Sequence, residues 1–269
     1  NAARPLMTVT AAGPAETGPA ESDAELAGRL ATEAGRLLVE VRAHLVSQGA
    51  PRWQVKDHGD MISHHYLVEQ LHAARPGDAV LSEEGLEDPR RFANDRVWII
   101  DPLDGTNEFS EPGRHDWAVH VALWNGTSLS AGAVSLPALA TTFTTDHPPE
   151  VPAGVRDRPL LITSRTRNPY SAVVVAQALG CDAVRLGSAG AKAMAVVVGE
   201  ADIYVHDGGM YQWDSAAPVA VAAAAGLHVS RIDGSPLVYN QRDPWLPDLL
   251  ICRPELARPA LDALAAADW

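Results

Sequence analysis

The hydrophobic pattern of the chain changes its period at Pro76-Gly77, and this change restricts the fold more than any other feature. Before it, a capping-box pattern at Ser22 and apolar residues at helical spacing up to Leu45 predict a long first helix. A second helix is predicted over residues 63–74. After the change, short apolar runs predict β-strands. A chain that switches from helices to strands fits a layered sandwich better than a helical bundle or a barrel.

The rest of the chain adds strands first and then an alternation of strands and helices. In the first half, strands are predicted at residues 79–81, 97–100, 118–124 and 130–135. In the second half, strands are predicted at residues 160–163, 183–186, 203–205, 227–229 and 249–251, and helices at residues 169–179, 190–198, 215–225 and 255–266. Such alternation is typical of α/β structure.

The pattern as a whole predicts an α/β (α+β) protein of two packed subdomains. The first would comprise residues 22–150 and the second residues 151–269. Residues 1–21 lack periodicity, so we expect a disordered tail there, with a tag remnant ahead of Met7.

Composition limits the partners of the chain. Its 21 Lys and Arg against 34 Asp and Glu give a net charge of −13, which disfavours polynucleotides and anionic membranes. No apolar run approaches the length of a membrane span, and two distant cysteines do not form a disulfide framework. We therefore expect a cytoplasmic protein. A small anionic substrate stays open, because a bound metal can reverse the local sign of an acidic cluster.

The most informative segment is an apolar strand that ends in two carboxylates. Trp98-Ile-Ile leads directly to Asp101, a Pro-Leu turn follows, and Asp104 precedes Gly105-Thr106. Two like charges at a strand end repel each other unless a cation neutralises them, and oxygen ligands suit Mg²⁺. Successive amides after Asp104 could bind phosphate. The alternative is an ordinary β-turn with side chain to backbone hydrogen bonds.

Two further acids lie at the borders of predicted elements. Glu83 follows the apolar run that ends at Ser82, and Asp214 stands just before a predicted helix. Each has a simpler interpretation, because Asp214 fits a helix N-cap and a Glu83-Glu84 pair fits a solvated surface. A Gly187-Ser188 pair before another predicted helix is equally consistent with an anion site and with close helix packing.

These segments resemble the motifs of the inositol monophosphatase superfamily of Mg²⁺-dependent, lithium-sensitive phosphatases. The similarity lies in Glu83-Glu84, in Asp101-Pro-Leu-Asp-Gly-Thr106 and in Trp213-Asp-Ser-Ala-Ala217, in the family's order. Glu108-Phe109 and the segment 233–240 are most similar to the CysQ-type 3′(2′),5′-bisphosphate nucleotidases. The segment 109–119 is similar to their actinobacterial branch in particular. The resemblance implies a layered α-β-α-β-α sandwich of the sugar phosphatase type, and the family also allows a homodimer.

The resemblance also implies a set of functional residues. It implies two or three Mg²⁺ per active site, held by Glu83, Asp101, the backbone carbonyl of Leu103, Asp104 and Asp214. It implies catalytic roles around an activated water for Asp60, Glu83 and Thr106. It implies substrate contacts at Asp104, Gly105, Thr106, Gly187, Ser188, Gln212 and Asp214.

The function that the resemblance implies is hydrolysis of the 3′-phosphate of 3′-phosphoadenosine 5′-phosphate. The same mechanism could serve a nucleoside monophosphate or an inositol or sugar monophosphate, including one of a nucleoside biosynthesis pathway. Aspartyl-phosphate phosphatases also contain Asp-Gly-Thr, but their two aspartates are two positions apart, whereas Asp101 and Asp104 are three apart. A third alternative is a non-catalytic protein that binds a phosphorylated ligand.

Two positions depart from the family pattern. His64-His65 stands in a segment where most relatives carry a further carboxylate, and Gln212 stands where the nucleotidases usually carry Glu. The histidines either open the second helix or contact an extra phosphate or a third metal ion. Both departures bear on the identity of the substrate, while the four metal-binding acids are present.

Overall fold

The computed structural model describes residues 21–154 and 156–267. The capping box predicted at the start of the first helix is confirmed, because the Ser22 hydroxyl accepts from the Glu25 amide and the Glu25 carboxylate accepts from the Ser22 amide. The α-helices of the described residues are α1 (Asp23–Ser47), α2 (Arg52–Ala74), α3 (Thr106–Phe109), α4 (Tyr170–Leu179), α5 (Ala189–Val197), α6 (Gln212–Ala224) and α7 (Pro254–Ala265).

The strands form two sheets of five. They are β1 (Ala79–Ser82), β2 (Val97–Asp104), β3 (Ala118–Trp124), β4 (Leu129–Leu136), β5 (Thr141–Thr144), β6 (Leu160–Ser164), β7 (Asp182–Leu186), β8 (Ile203–Tyr211), β9 (His228–Ser230) and β10 (Trp245–Cys252). The first sheet has the order β1-β2-β3-β4-β5 and the second β7-β6-β8-β10-β9. In the first sheet only β1 and β2 are parallel, and in the second β7, β6 and β8 are parallel.

Three hydrophobic cores stack the helices and sheets into five layers. Alternate residues of β2 point to opposite faces, so Trp98 packs against α1 and α2 whereas Ile99 packs against α5 and α6. In the second sheet, Tyr204 faces the same central helices, and Val205 faces α4 and α7. The expected α-β-α-β-α sandwich is therefore confirmed.

Several predicted elements had wrong bounds. Helix α2 begins at Arg52 rather than at residue 63, so His64 and His65 lie within the helix and do not open it. The strand Thr141–Thr144 was not predicted. Helix α6 begins at Gln212, which places Asp214 in its first turn rather than ahead of it.

The expected tail and tag remnant at residues 1–20 lie outside the described residues. Glu21, the last residue of the expected tail, forms an ion pair with Arg29 on α1 at 2.7 Å. In the described ranges, no helix combines the length and the apolar character that a membrane span requires.

Candidate active site

Three aspartates converge where the first sheet meets α6. Asp101, Asp104 and Asp214 each offer a carboxylate oxygen within 4.8 Å of the others. In a regular strand, residues three apart point to opposite faces, but β2 has an irregularity here. Asp101 pairs with His120 and Asp104 pairs with Ala118. Between these two pairs, β2 therefore contains one more residue than β3. This bulge turns both carboxylates to the same site.

Asp101 is the most deeply buried acid of the cluster. It is 1% exposed, and its Oδ1 accepts a hydrogen bond from the Leu103 amide at 3.0 Å. Its Oδ2 is buried and has no hydrogen-bond partner among the described residues. Burial first, and then repulsion from Glu83 and Asp104, raises the pKa of Asp101 well above its usual range. A buried oxygen without a donor among like charges fits a bound cation.

The pKa of Asp104 is lowered, in contrast to that of Asp101. Its Oδ2 accepts hydrogen bonds from the Ser188 hydroxyl at 2.5 Å and the Gly190 amide at 2.7 Å, and it lies 3.2 Å from His120 Nε2. Burial alone would raise the pKa of Asp104, but the contacts with His120, with Lys192 nearby and with Ser188 lower it to about 2. Asp104 is therefore a carboxylate at every physiological pH.

Asp214 joins the cluster from the first turn of α6. Its Oδ2 accepts the Tyr211 amide at 2.6 Å, which fixes the side chain at the helix start. Burial first, and then repulsion from Asp104, raises the pKa of Asp214 to about 6. The N-cap position itself belongs to Tyr211, so Asp214 is not the N-cap residue that its sequence position also suggested.

Glu83 borders the cluster from the residue after β1. The residue as a whole is exposed, while its carboxyl group is close enough to Asp101 and Asp214 to interact with both. Burial of that group, followed by repulsion from Asp214, raises its pKa to about 8. The group of three mutually close aspartates does not include Glu83.

Asp60 and Thr106 form a pair at the edge of the cluster. The Thr106 hydroxyl lies 3.4 Å from Asp60 Oδ1 and 3.1 Å from the Leu103 carbonyl oxygen, both acceptors for its single proton. Burial, with repulsion from Glu84, raises the pKa of Asp60 to about 7. The structure therefore brings together Asp60 and Thr106, which are 46 residues apart in sequence.

Two glycine-containing turns bring backbone close to the acids. Gly105 has φ +86° and precedes α3, and the amides in the first turn of a helix have no intrahelical acceptor. Gly187 donates to Asp116 at 2.6 Å, and a Cβ there would lie 2.4 Å from Glu108 Cδ. Ser188 adopts φ +47°, a rare conformation for a residue with a side chain, while bonding Asp104 and capping α5.

A cavity of about 140 Å³ adjoins the acidic cluster. Asp104, Ser188 and Asp214 form one wall, and the basic residues Arg167, Lys192 and His206 also line it. Sequence reasoning missed Arg167 and His120, because neither lies in a motif that signals a site. His206 on β8 is likewise buried and lines this cavity.

The basic side chains of the cavity are held by backbone carbonyls. Arg167 donates to the Gly209 carbonyl at 2.8 Å, and Lys192 donates to the carbonyls of Gly187 and Ser188. Burial lowers the pKa of Lys192 to about 8 despite the attraction of nearby acids. His206 Nε2 lies 3.1 Å from the Gly209 carbonyl, and its buried Nδ1 has no partner among the described residues.

The two departures from the family pattern do not line this cavity. The Gln212 side chain is buried, with Oε1 accepting from the Asn240 amide and one Nε2 hydrogen donating to the Asp243 carbonyl. His64 Nδ1 lies 2.9 Å from the Ser82 hydroxyl, and His65 is exposed. Contacts of Gln212 with a substrate, and of the histidines with a phosphate or a metal ion, stay predictions.

Comparisons with known proteins agree with this geometry. The model of the inositol monophosphatase family matches residues 29–264. A 3′-phosphoadenosine 5′-phosphate phosphatase of Mycobacterium bovis is 51% identical over 243 residues, which cover 87% of this chain and 90% of that protein. The 3′(2′),5′-bisphosphate nucleotidase CysQ of Escherichia coli is 31% identical over 200 residues, 70% of this chain and 80% of that protein.

A solved structure gives the same result for the fold. Mycobacterium tuberculosis SuhB superposes with a TM-score of 0.70 at 26% sequence identity, covering 90% of this chain and 95% of that one. The predicted resemblance, which rested on three short motifs, is confirmed over most of the chain.

Proposed function

The chain belongs to the inositol monophosphatase family, and on that premise we propose that it hydrolyses the 3′-phosphate of 3′-phosphoadenosine 5′-phosphate to AMP and phosphate. The single observation that carries the proposal is the buried, unpartnered Asp101 Oδ2 within a cluster of three aspartates. Such an arrangement is costly without a cation and is what a phosphate-binding metal site requires.

The side chains of the cluster supply oxygen donors, which suit Mg²⁺. In this proposal Glu83, Asp101, the Leu103 carbonyl, Asp104 and Asp214 would hold two or three Mg²⁺. When bound, the cations neutralise phosphate charge and make a nearby water more acidic. Asp104 contributes full negative charge, because its pKa is about 2.

Asp60, Glu83 and Thr106 handle the attacking water. Glu83 holds the water on its side of the cluster, and the Thr106 hydroxyl receives a proton from it while passing its own to Asp60 Oδ1. A pKa of about 7 allows Asp60 to accept that proton near neutral pH. The amides of Gly105 and Thr106 orient the phosphate for in-line attack.

The basic cavity supports a substrate with a second anionic group. Arg167, Lys192 and His206 line a space that opens beside the acidic cluster. A phosphate hydrolysed at the cluster would leave the remaining phosphate of a bisphosphate nucleotide near the cations Arg167 and Lys192. Inositol monophosphate has no second phosphate to place there, which favours the nucleotide. Ser188 lines the cavity and Gly187 precedes it, so both would contact the nucleotide in this proposal.

Phosphate release from a panel of substrates tests the proposal. We expect kcat/KM for 3′-phosphoadenosine 5′-phosphate to exceed that for inositol 1-phosphate and for AMP by at least about tenfold, or about 1.4 kcal/mol. Equal turnover of the bisphosphate and inositol phosphate would rule out the specific substrate. Asp101→Asn should abolish turnover, while Asp262→Asn, a matched change in an exposed ion pair on α7, should not. A hydroxylamine-sensitive phosphoenzyme would contradict direct attack by water.

Three further properties stay predictions. Inhibition by lithium and assembly as a homodimer rest on the resemblance, and a cytoplasmic location rests on the composition of the chain. Activity against lithium concentration tests the first, and sedimentation tests the second.

A further inference from the structure

A buried serine on α2 contacts the backbone of the bulge that carries two of the acids. Ser63 is 0% exposed, and its hydroxyl donates to the Pro102 carbonyl at 2.7 Å. The pairing of β1 with β2 ends at Ser82 and Ile100, so the Pro102 carbonyl lies two residues beyond the last pair. A side chain thus supplies the donor that a neighbouring strand supplies within a regular sheet.

The peptide group that Ser63 contacts is also bonded at its other end. The carbonyl of Pro102 and the amide of Leu103 belong to one planar unit, in which they point in opposite directions. The Leu103 amide donates to Asp101 Oδ1 at 3.0 Å. A rotation of this unit would break both hydrogen bonds, so Ser63 fixes the direction in which the Leu103 amide points.

The Leu103 amide in turn separates the two oxygens of Asp101. Oδ1 accepts that amide, whereas the buried Oδ2 has no hydrogen-bond partner among the described residues. The proposed cation site depends on this free oxygen. Because the amide holds Oδ1, the carboxylate cannot exchange its oxygens without losing a hydrogen bond.

A glycine one turn earlier lets α2 come this close to the bulge. A Cβ on Gly59 would lie 2.6 Å from Phe109 Cε1 and 2.9 Å from Leu103 Cδ2, so a side chain there would push α2 away. Glycine is less favourable than alanine inside a helix, and this close contact gives the reason for its presence. Gly59 and Ser63 therefore suit the two positions at which α2 lies against the bulge and α3.

We propose that Ser63 is a positioning residue for the metal site: it fixes the peptide group between Pro102 and Leu103, so that Asp101 keeps Oδ2 available for a cation. This role rests on the proposed metal-dependent function. Without the hydroxyl, the peptide group and the Asp101 carboxylate can reorient, which weakens Mg²⁺ binding in a folded chain. Groups that orient metal ligands typically contribute about 10–100-fold in metal affinity, and Ser63 acts through one peptide group, so we expect the lower end.

Hydrogen exchange of the metal-free protein tests the first step of this argument. In EDTA, the Leu103 amide should exchange at least about tenfold faster in Ser63→Ala than in the wild type, because its peptide group has lost one of two anchors. The amide of Ile99, in the regular part of β2, should exchange within about twofold of the wild-type rate. An unchanged rate at Leu103 would overturn the proposal, and that result does not depend on Mg²⁺.

Calorimetric titration of the whole protein with Mg²⁺ tests the second step. Ser63→Ala should raise the Kd for Mg²⁺ by about tenfold. Ser63→Thr and Ser63→Val add similar bulk but only the first keeps a hydroxyl, so the Ser63→Thr variant should bind Mg²⁺ about tenfold more tightly. Ser230→Ala is a matched control on β9, at the edge of the second sheet, and should bind like the wild type. Buried Ser230 also donates to a backbone carbonyl, that of Arg231, at 2.7 Å.

A general loss of stability would lower Tm without separating the Ser63→Thr and Ser63→Val variants in Mg²⁺ affinity. Should Ser63→Ala fail to fold, the comparison of those two variants decides. Equal affinity of folded Ser63→Ala and a wild type that binds Mg²⁺, or of the Ser63→Thr and Ser63→Val variants, would refute the role of Ser63 alone. A wild type that binds no Mg²⁺ would refute the proposed function together with this role.

Discussion

Neutralising Asp214 should stabilise the metal-free protein at neutral pH, although it removes a residue that the function needs. The pKa of Asp214 rises from 3.8 in the unfolded chain to about 6 in the folded one. A raised carboxyl pKa means that folding is favoured below the unfolded pKa and that this advantage is lost as pH rises through 6. The rise corresponds to about 3 kcal/mol of lost stability above pH 7.

Asp214→Asn removes that penalty and keeps an oxygen to accept the Tyr211 amide. In EDTA at pH 7.5 the variant should be more stable than the wild type by about 3 kcal/mol, or about 6–12 °C in Tm for a chain of this size. The difference should shrink as pH falls from 7 to 4. Glu83 and Asp101 add to it in the same direction, because Asp214 contributes to raising the pKa of both. With Mg²⁺ in excess, the stability difference between Asp214→Asn and the wild type should shrink or change sign, because Mg²⁺ binding stabilises the folded wild type.

Thermal unfolding followed by circular dichroism, with and without Mg²⁺, measures these differences. Asp262→Asn is the control, because its carboxylate is 61% exposed and far from the cluster in the fold. A wild type as stable as Asp214→Asn in EDTA at pH 7.5, or a difference that does not change with pH, would refute the reasoning about repulsion in the cluster.

Three other substitutions test separate parts of the site. Thr106→Val should lower kcat by about 10²–10⁴-fold, with Thr106→Ser retaining most activity in phosphate-release assays, because only the hydroxyl relays the proton. Arg167→Ala should raise KM for the bisphosphate nucleotide about tenfold while leaving inositol 1-phosphate nearly unaffected, and equal effects on both would argue against the basic cavity. Gly187→Ala should lower Tm and cost about 1–3 kcal/mol in urea unfolding, because its Cβ would overlap Glu108; an unchanged midpoint would show that the side chain moves aside freely.

Features encoded within a few residues could be predicted from the sequence. The capping box at Ser22 depends on neighbours in the chain and appears where the pattern placed it. The strand that begins at Val97 was also predicted, but its end was not, because β2 continues past Asp101 through a bulge to Asp104. The family motifs went further than patterns of neighbouring residues, because they predicted which residues far apart in the sequence lie together in one site.

Features made by distant contacts could not be predicted locally. The Ser188 hydroxyl bonds Asp104 across 84 residues, and His120 contacts Trp213 across 93, so no short pattern announces either pair. The first half of α2 was missed because its buried face carries few apolar side chains. That face repeats every four residues, but Gly59 and Ser63 occupy it between Val55 and Leu67. Its position depends on tertiary packing more than on local preference.

The aspartate cluster combines residues that are synthesised early with one that is synthesised much later. Asp101 and Asp104 belong to the first sheet, whereas Asp214 lies on α6, and Ser188 reaches Asp104 from the start of α5. A nascent chain therefore carries its repelling pair through the synthesis of about half the molecule before the third carboxylate and the Ser188 contact exist. Chains that stop before α6 should not hydrolyse phosphate esters. Because the site is complete only after α6 has been synthesised, an unfinished chain has no phosphatase activity.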